Sequence, residues 1–347
     1  MQFSSYISSL LSVIFCLGSY LAGGTPLEYA LSLTGGYDSN VLRFSDEEFE
    51  KAENSPNIMG ELKTFDSFVS KYKISLKKSF IINMKKSVGL NGFFTYSDYN
   101  NSTEKKYWSS GVDIFFKWGS YKNIKYSLRH LDKFYLRHYV NRDISTVSLS
   151  PCLFTDRNQS IVLTSKLSKR IWYSLGSGYL QRYYSKPFTE FDLDISYLKA
   201  RVNYKLRKIG TIGLQVNGGR AKNDSHLGTQ RPSSFNRSYR TIEWFLPLTF
   251  SGRLPIINEL GFAARIENRF YDAENLDDPL HAGRNHQDSK YDLWIKKKLS
   301  DEVAIKLTSR YRKRTTDSKY LWVKDLKSFR QLQFWFNIEW DLIYDKY

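Results

Sequence analysis

The chain of 347 residues has few cysteines, few methionines and no long hydrophobic run. It contains 2 Cys, 3 Met and 8 Pro, and its mean hydropathy is −0.48. The one sizeable apolar run extends from Leu10 to Ala22. A helix that crosses a bilayer needs about 20 predominantly apolar residues, so this run is too short. A helical membrane protein is therefore excluded.

Aromatic and basic residues are abundant instead. Aromatics make up 16% of the chain, and 52 Lys+Arg against 35 Asp+Glu give a net charge of +17. A chain this rich in rings and β-branched residues is not disordered. Because so many rings and charges must share the same segments, the composition favours an all-β protein in which apolar and polar residues alternate.

The N-terminal run has the form of a secretory signal. The small residues Ala22, Gly23 and Gly24 follow it, and a bulky Phe15 before Cys16 argues against a lipoprotein site. We expect a cleaved signal peptide over 1–24, although these residues contain no Lys or Arg, and a single barrel domain over 25–347. The alternative is a buried N-terminal strand. Cleavage would leave Cys152 as the remaining cysteine, which excludes an internal disulfide.

Apolar residues recur with period two, most clearly at the C-terminus. Between 331 and 344, rings and aliphatic side chains such as Phe334, Phe336 and Trp340 occupy even positions, while Gln333 and Asn337 occupy odd ones. This alternation is typical of a strand with one apolar face. The whole chain yields fourteen such segments, with twelve or sixteen as alternatives. They lie near 27–37, 63–79, 86–98, 106–118, 121–138, 144–154, 159–174, 192–207, 211–221, 238–251, 258–271, 289–299, 302–315 and 328–344.

The links between these segments mostly alternate in length. Short links at 80–85, 119–120, 155–158, 208–210, 252–257 and 300–301 alternate with longer ones at 38–62, 99–105, 175–191, 222–237, 272–288 and 316–327. Short turns at one rim and long loops at the other are typical of outer-membrane barrels. An even strand number places both termini on the short-turn side.

The predicted fold is an all-β, transmembrane antiparallel up-and-down β-barrel of about fourteen strands. A soluble sandwich also buries one face of each sheet. Its strands are usually about five or six residues long, whereas tilted membrane strands need about 9–11. Several of the predicted segments exceed even that length, which favours the barrel.

Two stretches resemble known outer-membrane proteins. The run Gly36-Tyr37-Asp38-Ser39-Asn40-Val41 resembles a first-strand signature of Gram-negative outer-membrane barrels, including the C-terminal barrels of surface lipoprotein assembly modifiers. This chain has no counterpart of the helical repeat domain that precedes those barrels. The last strand resembles the C-terminal signal that the barrel assembly machinery reads. The resemblance implies an outer-membrane location and leaves open an export or surface-assembly role with a periplasmic partner.

If the apolar side of each strand faces lipid, the opposite side faces the lumen and is mostly basic. The acidic residues on that side are Asp113, Glu243, Glu267, Asp292, Glu339 and Asp341. The candidate anion pathway comprises Lys71, Lys73, Lys125, Arg129, Lys199, Arg201, Lys205, Arg265, Arg269, Lys296, Lys306, Arg310 and Arg312.

The energetics require these side chains to face water. A Lys or Arg against lipid at mid-depth costs about 2–4 kcal/mol, and a folded protein has only about 5–15 kcal/mol of net stability. A channel wall of one charge sign concentrates the opposite ion, so we expect an anion-selective pore for small anionic solutes. Two alternatives remain: pairing with acids on neighbouring strands, and contact of outer residues such as Arg137 and Arg314 with lipopolysaccharide phosphates.

The first long loop contains a predicted helix. Ser45 and Glu48 fit a capping box, and Phe44 with Phe49 fits the accompanying hydrophobic staple. We therefore expect a short acidic helix from about 46 to 53. Either its acidic side chains contact the predicted lumenal Lys and Arg residues at the mouth of the barrel, or it is a solvated surface helix.

Signals for enzymatic activity are poor. The candidate positions for a nucleophile or a metal are Ser225, His226, His281, His286 and Asp288, and no strand fixes a carboxylate beside them. No phosphate-binding glycine loop, CxxC pair or zinc motif occurs. We predict no enzyme activity, no cofactor and no metal, and export argues against nucleic-acid binding. A structural or adhesive barrel acting through its extracellular loops is a further alternative.

Overall fold

The computed structural model is a closed barrel of fourteen antiparallel strands, which confirms the predicted fold class. It describes residues 26–145, 147–207, 209–228, 235–251 and 256–344, so the expected signal segment 1–24 lies outside the described residues. The strands are β1 (Leu27–Asp38), β2 (Ser67–Asn83), β3 (Lys86–Tyr99), β4 (Ser102–Gly119), β5 (Lys122–Val140), β6 (Leu149–Lys166), β7 (Ile171–Tyr184), β8 (Leu193–Leu206), β9 (Gly210–Lys222), β10 (Tyr239–Phe250), β11 (Glu259–Tyr271), β12 (Asn285–Lys298), β13 (Val303–Asp317) and β14 (Phe329–Tyr344).

Each strand pairs with its sequence neighbours, and β1 pairs with β14 to close the sheet. The closing ladder runs from Leu27 opposite Tyr344 to Asp38 opposite Gln333. Large apolar residues are exposed on the outer face of the barrel. Among them are Leu31, Leu33, Tyr72, Ile74, Phe94, Ile161, Leu175, Leu198, Trp244, Leu293, Leu307, Phe334 and Phe336.

The two rims differ as the sequence predicts. Both ends of the described chain lie at what we call the lower rim, where β2 and β3 are joined by residues 84–85 and β4 and β5 by residues 120–121. The upper rim carries the long connection 39–66, which we call the first loop. The predicted longer link at 99–105 is wrong, because β3 and β4 continue to the two-residue turn Asn100-Asn101.

The predicted boundaries of the sixth and seventh strands are also wrong. The expected break at 155–158 lies inside β6. The segment 175–184, placed in a longer link with a strand as the alternative, is the second part of β7. The polar run Asp156-Arg157-Asn158 has the composition of a turn, yet Asp156 faces inward and pairs with Arg182 of β7 at 2.8 Å. The real turn lies at 167–170, and the strand number is unchanged.

The described residues contain two α-helices, both in upper loops. The first, α1 (Asp46–Asn54), confirms the predicted helix: Ser45 accepts from the Glu48 amide, and Glu48 accepts in return from the Ser45 amide. Phe44 and Phe49 meet edge to face at 6.2 Å between ring centroids. The second, α2 (Leu321–Lys327), precedes β14. Within the described ranges no helix has the length and apolar character that crossing a membrane requires.

Inward-facing rings cover glycines on neighbouring strands. The indole of Trp294 lies directly over Gly261, its partner in the β11–β12 ladder, so that a Cβ at that position would overlap the ring. Phe115 covers Gly89 of β3 in the same way. Such pairs let a large ring lie flat against the wall and leave the centre of the barrel free.

We expect Gly261→Val to destabilise the barrel by about 1–3 kcal/mol, because the added carbons force the Trp294 ring off the wall. The fraction of refolded protein that resists unfolding in detergent measures this effect. Gly218→Val is the matched control, since nothing lies within 4 Å of a Cβ at Gly218. Equal behaviour of the two variants would contradict the role assigned to the ring.

Candidate functional site: the barrel interior

The strand register places every residue of the predicted anion pathway on the inward-facing side. These positions alternate with the exposed apolar residues along each strand, as Lys199 does with Leu198 and Lys306 with Leu307. Their selectivity for anions stays a prediction. The residues are Lys71, Lys73, Lys125, Arg129, Lys199, Arg201, Lys205, Arg265, Arg269, Lys296, Lys306, Arg310 and Arg312.

About half of this basic set is neutralised by carboxylates, most of them on β10–β13. Arg310 binds Asp292 through two nitrogens, at 2.6 and 3.0 Å. Arg312 and Arg314 share Asp288, at 2.5 and 2.8 Å. Two guanidiniums on one carboxylate leave a local excess of positive charge. The contacts of Arg310 with Asp292 and of Arg312 with Asp288 nevertheless agree with the alternative that basic residues pair with acids on neighbouring strands.

Four further pairs extend the neutralised region. Arg265 lies 3.7 Å from Glu243, and Arg269 lies 2.7 Å from Glu267. Arg129 contacts Asp113 at 2.6 Å, and Lys296 lies 3.6 Å from Glu339. These contacts place paired charges on β4 and β5 as well as on the opposite wall.

The remaining basic residues form no ion pair among the described residues. Lys71 lies over the ring of Trp335 at 3.9 Å, and Lys306 over Trp294 at 4.8 Å. Lys73 lies 5.6 Å from the ring centroid of Phe93. Such contacts favour a cation without cancelling its charge.

Four of these unpaired residues concentrate on β5 and β8. Along the hydrogen-bonding direction, Lys125 pairs with Val162, which pairs with Gly176, which pairs with Lys199. Arg201 and Lys205 follow on β8, and the Arg201 Nε donates to the neutral side chain of Asn203 at 2.8 Å. We call Lys125, Lys199, Arg201 and Lys205 the basic wall.

The first loop folds into the upper half of the barrel. Its Val41, Leu42 and Phe44 are buried against inward-facing Tyr99 and Tyr135 of the strands. Burial of several large side chains at about 1.5–3 kcal/mol each holds the loop inside. The mouth is therefore partly filled by the chain itself.

Polar contacts fix the same loop to the strands. The buried Lys105 ammonium donates to the Val41 carbonyl at 2.6 Å, and Arg137 contacts Glu48 of α1 at 2.5 Å. Arg137 also donates to the Leu42 and Arg43 carbonyls, both at 2.8 Å. The helix thus meets the interior through Glu48, in agreement with the first of the two alternatives for α1, whereas its outer face, with Glu53, is exposed.

Arg137 and Arg314 do not occupy the lipopolysaccharide-facing rim considered above. Both guanidiniums lie inside the barrel, where Arg137 is paired with Glu48 and Arg314 with Asp288. Side chains alternate between the two faces of a strand, and Arg137 of β5 and Arg314 of β13 both stand at inward-facing positions. Outward arginines at the upper rim are Arg220 and Arg240 instead, close to Asp272.

A cavity of about 250 Å³, which we call the upper chamber, lies between the strand tops and the upper loops. Cationic side chains surround it. The carboxylates that neutralise some of them, Asp156, Glu267 and Asp288, are not part of its lining. The cations are Arg182, Arg237, Arg269, Arg284, Arg314 and Lys327. Sequence reasoning missed Arg182 because 175–184 was expected to be part of a loop, and Arg237, Arg284 and Lys327 because they lie outside strands. The alternation around Tyr179, Gln181 and Tyr183 is the signal that could have revealed Arg182.

The histidines considered for catalysis or metal binding form separate contacts. His281 Nδ1 lies 2.8 Å from Asp278, and burial lowers the pKa of His281 to about 4, so this ring is neutral at pH 7. His286 Nδ1 lies 2.8 Å from the Thr316 hydroxyl. Asp288 belongs to the arginine pair described above, and Ser225 and His226 lie in a short 3-10 turn at the upper rim. His281 and His286 both line the upper chamber, but the described residues contain no group of three or more His, Cys, Asp or Glu side chains that could hold a metal ion.

No family model matches the chain, and no curated protein matches it. Solved structures share the barrel architecture. A bacterial polysaccharide outer membrane secretin has 8% identity over 90% of this chain and 98% of its own, with a TM-score of 0.47. An anion-selective porin from Comamonas acidovorans has 8% identity over 92% and 99%, with a TM-score of 0.44. The outer membrane channel DcaP of Acinetobacter baumannii has 11% identity over 92% and 98%, with a TM-score of 0.45. Likenesses this remote assign no function to the chain.

Proposed function

We propose that the protein is an outer-membrane channel that lets small anionic solutes diffuse through its basic interior. The observation that carries this proposal is the basic wall, whose positive charges face the lumen without an ion pair to any carboxylate of the described residues. The solute would cross the channel without being chemically changed. Lysine and arginine side chains would attract it and set its selectivity.

The outer surface supports insertion into a bilayer. Leu33, Leu198, Leu293 and Phe334 are each 45–68% exposed, and they belong to a series of apolar side chains around the barrel. Soluble monomers rarely expose apolar patches beyond a few hundred Å². In a closed barrel every backbone group of the wall is hydrogen-bonded, which is the other requirement of the hydrocarbon region.

The interior supports a preference for anions over cations. Carboxylates on β10–β13 have arginine partners at short distance, so they offer little free negative charge to a passing cation. Lys125 and Lys199 face the same space from the other side with no such partner among the described residues. A charge of one sign in a narrow aqueous space concentrates counter-ions.

The filled mouth implies a narrow pathway. The first loop occupies part of the upper half, and the upper chamber is bounded by residues of the other upper loops, such as Phe191 and Leu280. A solute that crosses would have to pass between these loops and the strand tops. Low conductance and size restriction follow from this geometry.

The first prediction concerns charge reversal at the basic wall. We expect the double variant Lys199→Glu/Lys205→Glu to lower the anion-to-cation permeability ratio about fivefold, which corresponds to on the order of 1 kcal/mol of changed local potential. The reversal potential of single channels in a salt gradient measures this ratio.

Lys85→Glu paired with Lys86→Glu is the matched control, because it changes the net charge equally at the lower turn between β2 and β3. We expect this control to keep most of the selectivity. An identical loss in both double variants, or no conductance in the wild-type protein, would contradict the proposed channel. Copurification of a periplasmic chain with a non-conducting barrel would instead favour the export role.

The second prediction concerns the first loop. Deletion of residues 44–56 removes α1 together with Phe44, so we expect a wider mouth and a severalfold larger single-channel conductance. Conductance equal to that of the intact chain would mean that the loop does not restrict the pathway. Resistance of the deleted protein to unfolding in detergent shows whether the barrel itself is preserved.

A further inference from the structure

The upper chamber is lined by more positive charges than the neighbouring carboxylates neutralise. Arg182 binds Asp156 through two nitrogens, both at 2.8 Å, and Arg269 pairs with Glu267. These two arginines are neutralised. Their carboxylates stand on inward positions of β6 and β11, outside the lining of the chamber.

The other four cations of the lining are not fully neutralised. Arg314 shares Asp288 with Arg312, so one positive charge of that trio is unmatched. Arg237, Arg284 and Lys327 form no ion pair among the described residues, although the buried Glu190 carboxylate acts on Arg237 at longer range. The chamber therefore has a net positive charge, which the buried Asp278 carboxylate behind His281 reduces but does not cancel.

Two of these cations have unused hydrogen-bond donors. The Nε atoms of Arg237 and Arg284 are buried and have no hydrogen-bond partner within the part of the chain that the structure describes. The Arg284 residue is 4% exposed, and its guanidinium lies 4.0 Å from the ring centroid of Tyr271. Arg237 lies over Phe191 at 3.3 Å. A buried donor without a partner is costly, typically about 1–3 kcal/mol and more when charged. Both residues line the chamber, so negative charge there would stabilise their guanidiniums.

We infer that the upper chamber binds a compact oxyanion with two or more negative charges, of the phosphate or polycarboxylate class, through Arg237, Arg284, Arg314 and Lys327. Planar guanidiniums match the oxygen atoms of such groups and donate to them in pairs. The tyrosine and phenylalanine rings of the lining bound the remaining space.

The size of the chamber restricts the ligand to a small free solute. Its volume of about 250 Å³ corresponds to roughly eight water molecules at about 30 Å³ each. A pyrophosphate or a small tricarboxylate fits that space, whereas a lipid does not. The inference deepens the proposed function, on which its place along the pathway rests, but binding itself can be measured without any conduction.

The energetic cost of the Lys327 charge depends on whether the chamber holds an anion. Burial lowers the pKa of Lys327 to about 7; repulsion by Arg137 and Arg284 lowers it further, whereas Glu48 and Tyr271 favour the charged form. The free protein is then penalised for this charge at pH values below about 7, and the penalty fades as the pH rises toward the ordinary value for lysine. A bound oxyanion offsets the penalty at low pH.

The test is calorimetric titration of the purified full chain in detergent at pH 6.5 with inorganic pyrophosphate, at constant ionic strength. We expect saturable binding of one pyrophosphate per barrel, and at least tenfold weaker binding of acetate because its single charge leaves most of the excess unmatched. Arg284→Gln and Arg237→Gln should each weaken pyrophosphate binding tenfold or more. Arg220→Gln is the matched control, since it removes the same charge from the outer surface and should bind as the wild type does.

Lys327→Met separates a binding role from a folding defect. This variant removes a buried unpaired charge, so its melting temperature without ligand should exceed that of the wild type at pH 6, and by less at pH 9. Pyrophosphate should raise the melting temperature of the wild type clearly more than that of Lys327→Met. An equal shift in both proteins would overturn the inference.

Two other results would also overturn it: absence of saturable pyrophosphate binding, or an equal loss of binding in Arg220→Gln and Arg284→Gln. Neither result depends on conduction. A barrel that binds pyrophosphate in the chamber but passes no ions would refute the proposed channel and retain the binding site. A conducting barrel without binding would refute the site alone.

Discussion

The pairing of β1 with β14 is the contact on which the rest of the structure depends, because it closes the sheet and so separates an inside from an outside. Side chains alternate along a strand, so a slip of one residue in any strand pair would exchange the apolar and the polar faces of the strand that slips. In the observed register Leu33 lies between Ile338 and Tyr72 on the outside, and Ser32 lies between Glu339 and Lys73 on the inside. Closure thus sorts hydrocarbon-compatible side chains from ionised ones around the full circumference.

The interior is divided between two electrostatic regimes. On β10–β13, carboxylates such as Asp288 and Asp292 hold arginines at hydrogen-bonding distance and offset part of the positive charge of this wall. On β5 and β8, Lys125 and Lys199 face the lumen without such partners among the described residues. A lysine costs little in water, but it is expensive without water or a counter-charge. The basic wall therefore requires a hydrated space in front of it.

Much of the wall could be predicted from the sequence, because period-two alternation is local and strong. The last strand and the segment around Leu198 show it clearly, and their lumenal residues follow from parity alone. Prediction failed where polar or small residues interrupt the pattern: Asp156 and Asn158 suggested a turn, and Ser177 and Gln181 interrupt the apolar outward series of β7. In both places the deciding interactions come from neighbouring strands, such as the contact of Asp156 with Arg182.

The loops illustrate the opposite situation. The helix α1 was predictable because its capping box and its Phe44–Phe49 contact are local. Its place inside the barrel was not, since that depends on Arg137, which lies 89 residues away in sequence from Glu48.

The upper chamber depends entirely on such distant contacts. It assembles Arg237, Arg284 and Lys327 from three different loops against the tops of the strands. Loops that merely closed the mouth would be expected to bring apolar or mutually paired side chains into it, as the first loop does with Val41 and Leu42. Arg237 and Arg284 pack on aromatic rings, but together with Lys327 they are three cations without an ion pair among the described residues, and their mutual repulsion opposes closure. This cost is the physical reason to regard the closed upper half as a place for an anion and not as a plug alone.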